Sequence, residues 1–74
     1  MVTVSHTFVA TVAAIVHVGA TPVLVDVGDD GLMGSGGLQD ALTRRTKAVI
    51  PVHLSGRSCD MTAIKALAET RGLV

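Results

Sequence analysis

The sequence predicts an α/β fold built on a parallel sheet with helical crossovers. Three observations predict it. Short β-branched runs alternate with amphipathic segments in the order β-α-β-α-β-α, and a further strand opens at Leu73. The runs at residues 23–27 and 47–52 are apolar almost throughout, as strands covered on both faces are. Glycine, proline and polar turns punctuate the pattern, with no repeat and no linker.

Residues 1–4 form the first strand of this reading. Ser5 or Thr7 can then cap a helix, because a hydroxyl there accepts a bond from a free backbone N–H. The helix is expected over residues 7–18. Phe8, Val12, Ile15 and Val16 share one stripe, which Val9 and Ala13 widen, so burial over most of its surface is expected. Gly19 ends it by taking the left-handed turn without steric cost. Thr21 and Pro22 lead into the second strand, residues 23–27, where proline is tolerated at the start. Residues 28–31 read Gly-Asp-Asp-Gly, a turn, and residues 32–37 a glycine-rich loop. A short helix over residues 38–42 carries Leu38, Ala41 and Leu42 on one face. A polar connector then leads to the third strand, residues 47–52. Asp60 is placed to cap the last helix, whose inward face is Met61, Ile64, Leu67 and Ala68. Lys65 and Glu69 lie outside, Arg71 suits the negative end of the dipole, and Gly72 terminates it.

Composition sharpens this picture. A chain of 74 residues is one small domain at most, and chains of that size bury only about 60% of their unfolded surface. Yet 49% of its residues are apolar and the mean hydropathy is +0.58. That richness suits the interior of a larger α/β domain, so the chain is expected to be a piece of one. Six basic and six acidic residues cancel, and no basic run or aromatic platform points to nucleic acid. Cys59 is the single cysteine, which rules out an internal disulfide and fits the cytoplasm. The apolar stretch at residues 8–16 has no Lys or Arg before it, as a secretory signal requires. It also falls short of the ~20 residues that span a bilayer. No membrane partner is expected.

Several residues can carry chemistry. Ser5, His6 and Thr7 stand at a strand end and helix start, where free N–H groups favour an anion. Capping the helix is the simpler role for the two hydroxyls. His53 and Ser55 stand at the third strand's end, where ligands of open α/β sheets bind. A hydrogen-bonded structural role is the reading preferred for His53. His6 and His17 are eleven residues apart, about 16 Å of helical rise, too far to share a metal ion. Cys59 beside Asp60 lacks a partner at ligand spacing, so no metal is expected. The loop Gly34-Ser35-Gly36-Gly37 lacks the Gly-Lys-Ser/Thr ending of a phosphate loop. Asp26 stands where a dinucleotide fold keeps its ribose acid, but residues 5–8 contain no glycine, which argues against nicotinamide.

Four stretches carry a resemblance. Residues 4–11, Val-Ser-His-Thr-Phe-Val-Ala-Thr, are similar to a motif "P-S-x-T-F/Y/W-x-A-T". Gly19-Ala20-Thr21-Pro22-Val23 with Val25-Asp26-Val27 is similar to "GATPVFVDV". Ala41-Leu42-Thr43 with Arg45-Thr46-Lys47-Ala48 is similar to "AITPRTKAI". Pro51-Val52-His53-Leu54, Gly56 and Asp60-Met61 are similar to "KAIIPVHLYG" followed by "ADM". In this order and spacing they resemble the DegT/DnrJ/EryC1/StrS family of pyridoxal-phosphate-dependent sugar aminotransferases, over essentially all 74 residues. Val4 and Arg44 stand where the family has proline, Ser55 where tyrosine is common, and residues 28–37 are richer in glycine.

The resemblance implies a piece of the parallel-sheet large domain of a fold-type-I enzyme. It implies that Phe8 stacks on the pyridine ring of pyridoxal 5'-phosphate, with Thr7 beside it, in the parent enzyme. It implies a nucleotide-sugar substrate, an amino-acid amino donor and a homodimer. The family's pyridine-nitrogen acid, in "V-I-E-D-A-A-Q", falls just beyond residue 74, and its Schiff-base lysine further on. Its glycine-threonine phosphate loop falls before Met1. Lys47 and Lys65 are not at the lysine position, so the chain alone is expected to be inactive and not to hold the cofactor. The implied topology places the first two strands side by side and the strand begun at Leu73 between the first and third, leaving a gap there. The alternative is a small stand-alone α/β binding module that associates through open sheet edges. A cooperative melt of a soluble monomer would favour that alternative, and aggregation or dye binding the broken domain.

Overall fold

The computed structural model describes all 74 residues. The order is β1 (Val2–Val4), α1 (Val9–His17), β2 (Val23–Val25), α2 (Ser35–Ala41), β3 (Val49–Ile50) and α3 (Met61–Arg71). The strands form one parallel sheet in the order β2-β1-β3. Val2 pairs with Val23 on one side and with Val49 on the other. The predicted α/β class and alternation therefore hold, with every strand shorter than expected.

The expected gap between the first and third strands is not there. The Val2 amide donates to the Ala48 carbonyl at 3.0 Å, and the Thr3 hydroxyl donates to the Ile50 carbonyl at 2.8 Å. Residue 74 runs along the outer side of β3 instead. Its amide donates to the Lys47 carbonyl at 3.1 Å and its carbonyl accepts from the Val49 amide at 3.0 Å. Crossover handedness explains the correction. Parallel crossovers are right-handed, so connections running in opposite directions across the sheet place their helices on opposite faces. The step from β1 to β2 runs one way and that from β2 to β3 the other, which puts α1 and α2 on opposite faces. The α3 helix packs against α2, so the step after β3 continues in the direction of α2's step. A strand inserted between β1 and β3 would have reversed that direction.

One face of the sheet holds the core. Val2, Val4 and Val25 meet Leu32, Met33, Leu38, Cys59 and Ile64 in a single cluster. Strand alternation turns Thr3 to the other face, where it is fully buried. Ile15, the only buried residue of α1, stands outside the cluster. Val12 is half-buried, and the rest of that helix's apolar stripe is open. Val9 is 72% exposed and Val16 58%, so the expected burial of α1 is not met within this chain. Its surface area makes the same point. The 4875 Å² of accessible surface exceeds the roughly 4,300 Å² typical of a compact monomer of this mass.

The helix ends show which local signals acted. Neither Ser5 nor Thr7 caps α1. Its N-cap is Phe8, extended at φ −67° and ψ 139°, with no side-chain cap bond. The α2 helix starts at Ser35, three residues before the expected Leu38, so the glycines at 36 and 37 are helical. Asp60 caps α3 as expected, its Oδ1 accepting from the Ala63 amide at 3.1 Å, and Gly72 closes it at φ +66°. Replacing Asp60 with alanine should cost about 1 kcal/mol, read as a lower urea midpoint with an unchanged denaturant slope. An unchanged midpoint would mean that the cap bond is not formed in solution.

Candidate functional site

Ligands of open parallel sheets sit beyond the carboxyl ends of the strands. Three segments meet that description here: residues 5–8 after β1, 26–31 after β2 and 53–57 after β3. The Ser5 amide donates to the Val25 carbonyl at 2.9 Å, so the first two segments leave the sheet side by side. Arg57 joins the other two, its Nη1 reaching the Asp30 carbonyl at 3.5 Å.

Phe8 is the conspicuous group at this end. A phenylalanine on a buried stripe would be covered, yet this ring is 75% exposed. Thr7 beside it is half-buried. Its hydroxyl lies 2.7 Å from the Thr11 hydroxyl. Two hydroxyls sharing one hydrogen bond keep one O–H free to donate. The first turn of α1 also has no side-chain acceptor on its N–H groups, which leaves a partial positive charge beside Thr7 and Phe8. Ser5 and His6 are exposed and make no side-chain hydrogen bond.

The loop after β2 is a compact turn, as expected. Gly31 takes φ +79°, and the Asp30 Oδ1 accepts from the Leu32 amide at 3.0 Å. Asp26 stands exposed just past β2. The Gly34–Gly37 stretch holds no cradle, because residues 35–37 form the first turn of α2.

The loop after β3 is a two-residue hairpin. Leu54 and Arg57 exchange backbone bonds at 3.0 and 2.9 Å, and Ser55 and Gly56 both take positive φ, +54° and +75°. Such turns suit the twist of the chain on either side. His53 is hydrogen-bonded, as expected: its Nδ1 accepts from the Cys59 amide at 3.0 Å. Cys59, set aside in the sequence for want of a metal partner, is buried and donates from Sγ to the Val52 carbonyl at 3.2 Å. Sequence reasoning did not foresee this pairing. The Ser55-Gly56 turn was its only trace, since such a turn folds the chain back toward His53.

Two lysines bear on what this end can do. Lys47 precedes β3 and so lies at the amino end of the sheet, and Lys65 is exposed on α3. The widest surface hollow, about 650 Å³, also lies at the amino end, between residues 18–21 and 43–47. It is open to solvent, and its end of the sheet is not the one where such folds place ligands. The carboxyl end is the better candidate despite its shallower relief.

The model of the DegT/DnrJ/EryC1/StrS aminotransferase family matches residues 1–74. A dTDP-3-amino-3,4,6-trideoxy-alpha-D-glucose transaminase of Micromonospora megalomicea subsp. nigra is 54% identical over 74 residues, 99% of this chain and 20% of that protein. The spore coat polysaccharide biosynthesis protein SpsC of Bacillus subtilis (strain 168) is 47% identical, over 99% of this chain and 19% of its own length. Among solved structures, DesV of S. venezuelae in complex with a ketimine intermediate superposes with a TM-score of 0.92 at 40% identity. That match covers 97% of this chain and 20% of DesV. PseC of Helicobacter pylori, an aminotransferase of pseudoaminic acid biosynthesis, gives 0.93 at 29% identity, over 97% and 19% of the two chains. The chain thus spans about a fifth of the length of the curated relatives it matches.

Proposed function

The chain belongs to the DegT/DnrJ/EryC1/StrS aminotransferase family, and from that premise we propose that it is a segment of the large domain of a pyridoxal-phosphate-dependent enzyme. That enzyme moves an amino group from an amino-acid donor to a keto sugar carried on a nucleotide. The carrying observation is the 75% exposed ring of Phe8 at the carboxyl end of the sheet. Relatives named as sugar transaminases support the substrate class.

The residues present fit the cofactor in part. Phe8 offers a flat apolar face for a pyridine ring, and Thr7 with Thr11 offers one hydroxyl proton to an acceptor. The N-terminal turn of α1 favours negative charge nearby. When bound, pyridoxal phosphate supplies the electron sink that amino-group transfer needs. This chain's share is to hold and orient. Phe8 would cover one face of the cofactor's ring against water, and the turn after β1 would hold Phe8 at the carboxyl end of the sheet. Neither Lys47 nor Lys65 is placed to hold or move a proton at that end.

The test separates stacking from core packing. In the reading frame extended through both flanks, Phe8→Ala should weaken cofactor binding roughly five-fold, the size of an aromatic stacking contribution. Phe8→Tyr should restore it. Thermal stability without cofactor should hardly move, because the ring is exposed. A large stability loss with unchanged cofactor affinity would assign Phe8 to the core instead.

A further inference from the structure

We infer that His53 is a positioning residue whose unprotonated imidazole clasps the β3–α3 connection at the mouth of the candidate site. Val52 and Leu54 pack on the core and Arg57 reaches Asp30, but neither contact fixes the return from the hairpin to Cys59. That hairpin stands on two backbone bonds, between Leu54 and Arg57, and places Ser55 at φ +54°, a conformation that costs a non-glycine residue energy. Beyond the hairpin the chain must return to the sheet so that Cys59 enters the core and Asp60 caps α3. The imidazole Nδ1 takes the Cys59 amide at 3.0 Å, and the Cys59 thiol takes the Val52 carbonyl at 3.2 Å. The two bonds tie position 59 back to Val52 and His53, the two residues just before the hairpin. They set where Leu54, Ser55 and Gly56 stand.

The acceptor role fixes the protonation state. A neutral imidazole accepts at one nitrogen, whereas an imidazolium donates at both. Proton uptake at Nδ1 would set two N–H donors against each other, so the clasp must open. The other titratable groups of the adjoining segments are engaged elsewhere. Asp60 holds the Ala63 amide, Arg57 reaches the Asp30 carbonyl, Asp30 holds the Leu32 amide, and the Cys59 thiol faces Val52. Asp26, Asp29 and His6, at the same end of the sheet, make no hydrogen bond to the imidazole. The clasp is a property of the loop and holds whatever the site binds.

Amide hydrogen exchange on the whole chain tests it. The Cys59 amide should be protected at pH 7.5. After correction for intrinsic rates, that protection should fall roughly five-fold when His53 is protonated, as loss of one hydrogen bond implies. The Ser5 amide, held in the sheet by Val25, should change less than two-fold. His53→Leu should show the low protection at every pH, and His53→Asp, which keeps an acceptor, should restore it and remove the dependence on imidazole protonation. Exchange at Cys59 that is unprotected in the wild type, or equally protected in His53→Leu, would overturn the inference. So would parallel loss at Cys59 and Ser5.

Discussion

Leu38→Ala is expected to unfold the chain. Leu38 is fully buried where α2 meets the sheet, in one cluster with Val2, Val4, Val25, Met33 and Ile64. Truncating a buried leucine costs about 2–5 kcal/mol, because the cavity closes only partly. Only 10 of 74 residues are buried, so few neighbours can move in to fill it. A domain of this length has roughly 4–11 kcal/mol of stability at ~0.05–0.15 kcal/mol per residue. The excess of exposed surface puts this one at the low end. Loss of the helical circular dichroism signal at 25 °C is the expected reading. Phe8→Ala is the matched control, since it removes a larger side chain from an exposed position and should leave the signal intact. A Leu38→Ala chain that melts within ~1 kcal/mol of the wild type would show that this cluster does not hold the fold.

The second large effect concerns chemistry. Purified and mixed with pyridoxal phosphate, an amino-acid donor and a nucleotide-linked keto sugar, the chain should show no bound-cofactor absorbance and no transamination. Covalent capture of the cofactor needs a lysine at the ring, and proton transfer there contributes about 10²–10⁴-fold to rate. Lys47 lies at the opposite end of the sheet and Lys65 on an exposed helix face. Phe8 and the first turn of α1 remain, and neither carries an amine that could form the covalent bond. A cofactor band with turnover from this chain would mean that one of the two lysines reaches the ring, against their placement.

The sequence read well where local signals are strong. Asp60 and Gly72 marked both ends of α3, and the alternation of apolar runs with helices marked the parallel sheet. It read poorly where neighbours decide. The stripe on α1 reads as a buried face, yet within these 74 residues only Ile15 is fully covered, while Val9 and Val16 stand open. Hydroxyls at Ser5 and Thr7 looked like caps, but Thr7 bonds to Thr11 and leaves the turn open. Gly36 and Gly37 looked like loop and proved helical, because Leu38 has to be brought onto Val25. The position of the strand after α3 is a matter of handedness, which no residue encodes. At the carboxyl end, the motif singles out Phe8 but not its exposure, while the His53–Cys59 clasp depends on a hairpin that brings distant atoms together.

If these residues are, as proposed, one part of a cofactor-binding sheet, the reactive groups are encoded elsewhere in the same protein. Reading the coding DNA on both sides of this segment tests that proposal most directly. An upstream glycine-threonine loop for the phosphate, and a downstream acid for the pyridine nitrogen followed by a lysine, are expected in one open frame. Stop codons close on either side, with no such residues in frame, would contradict the proposal.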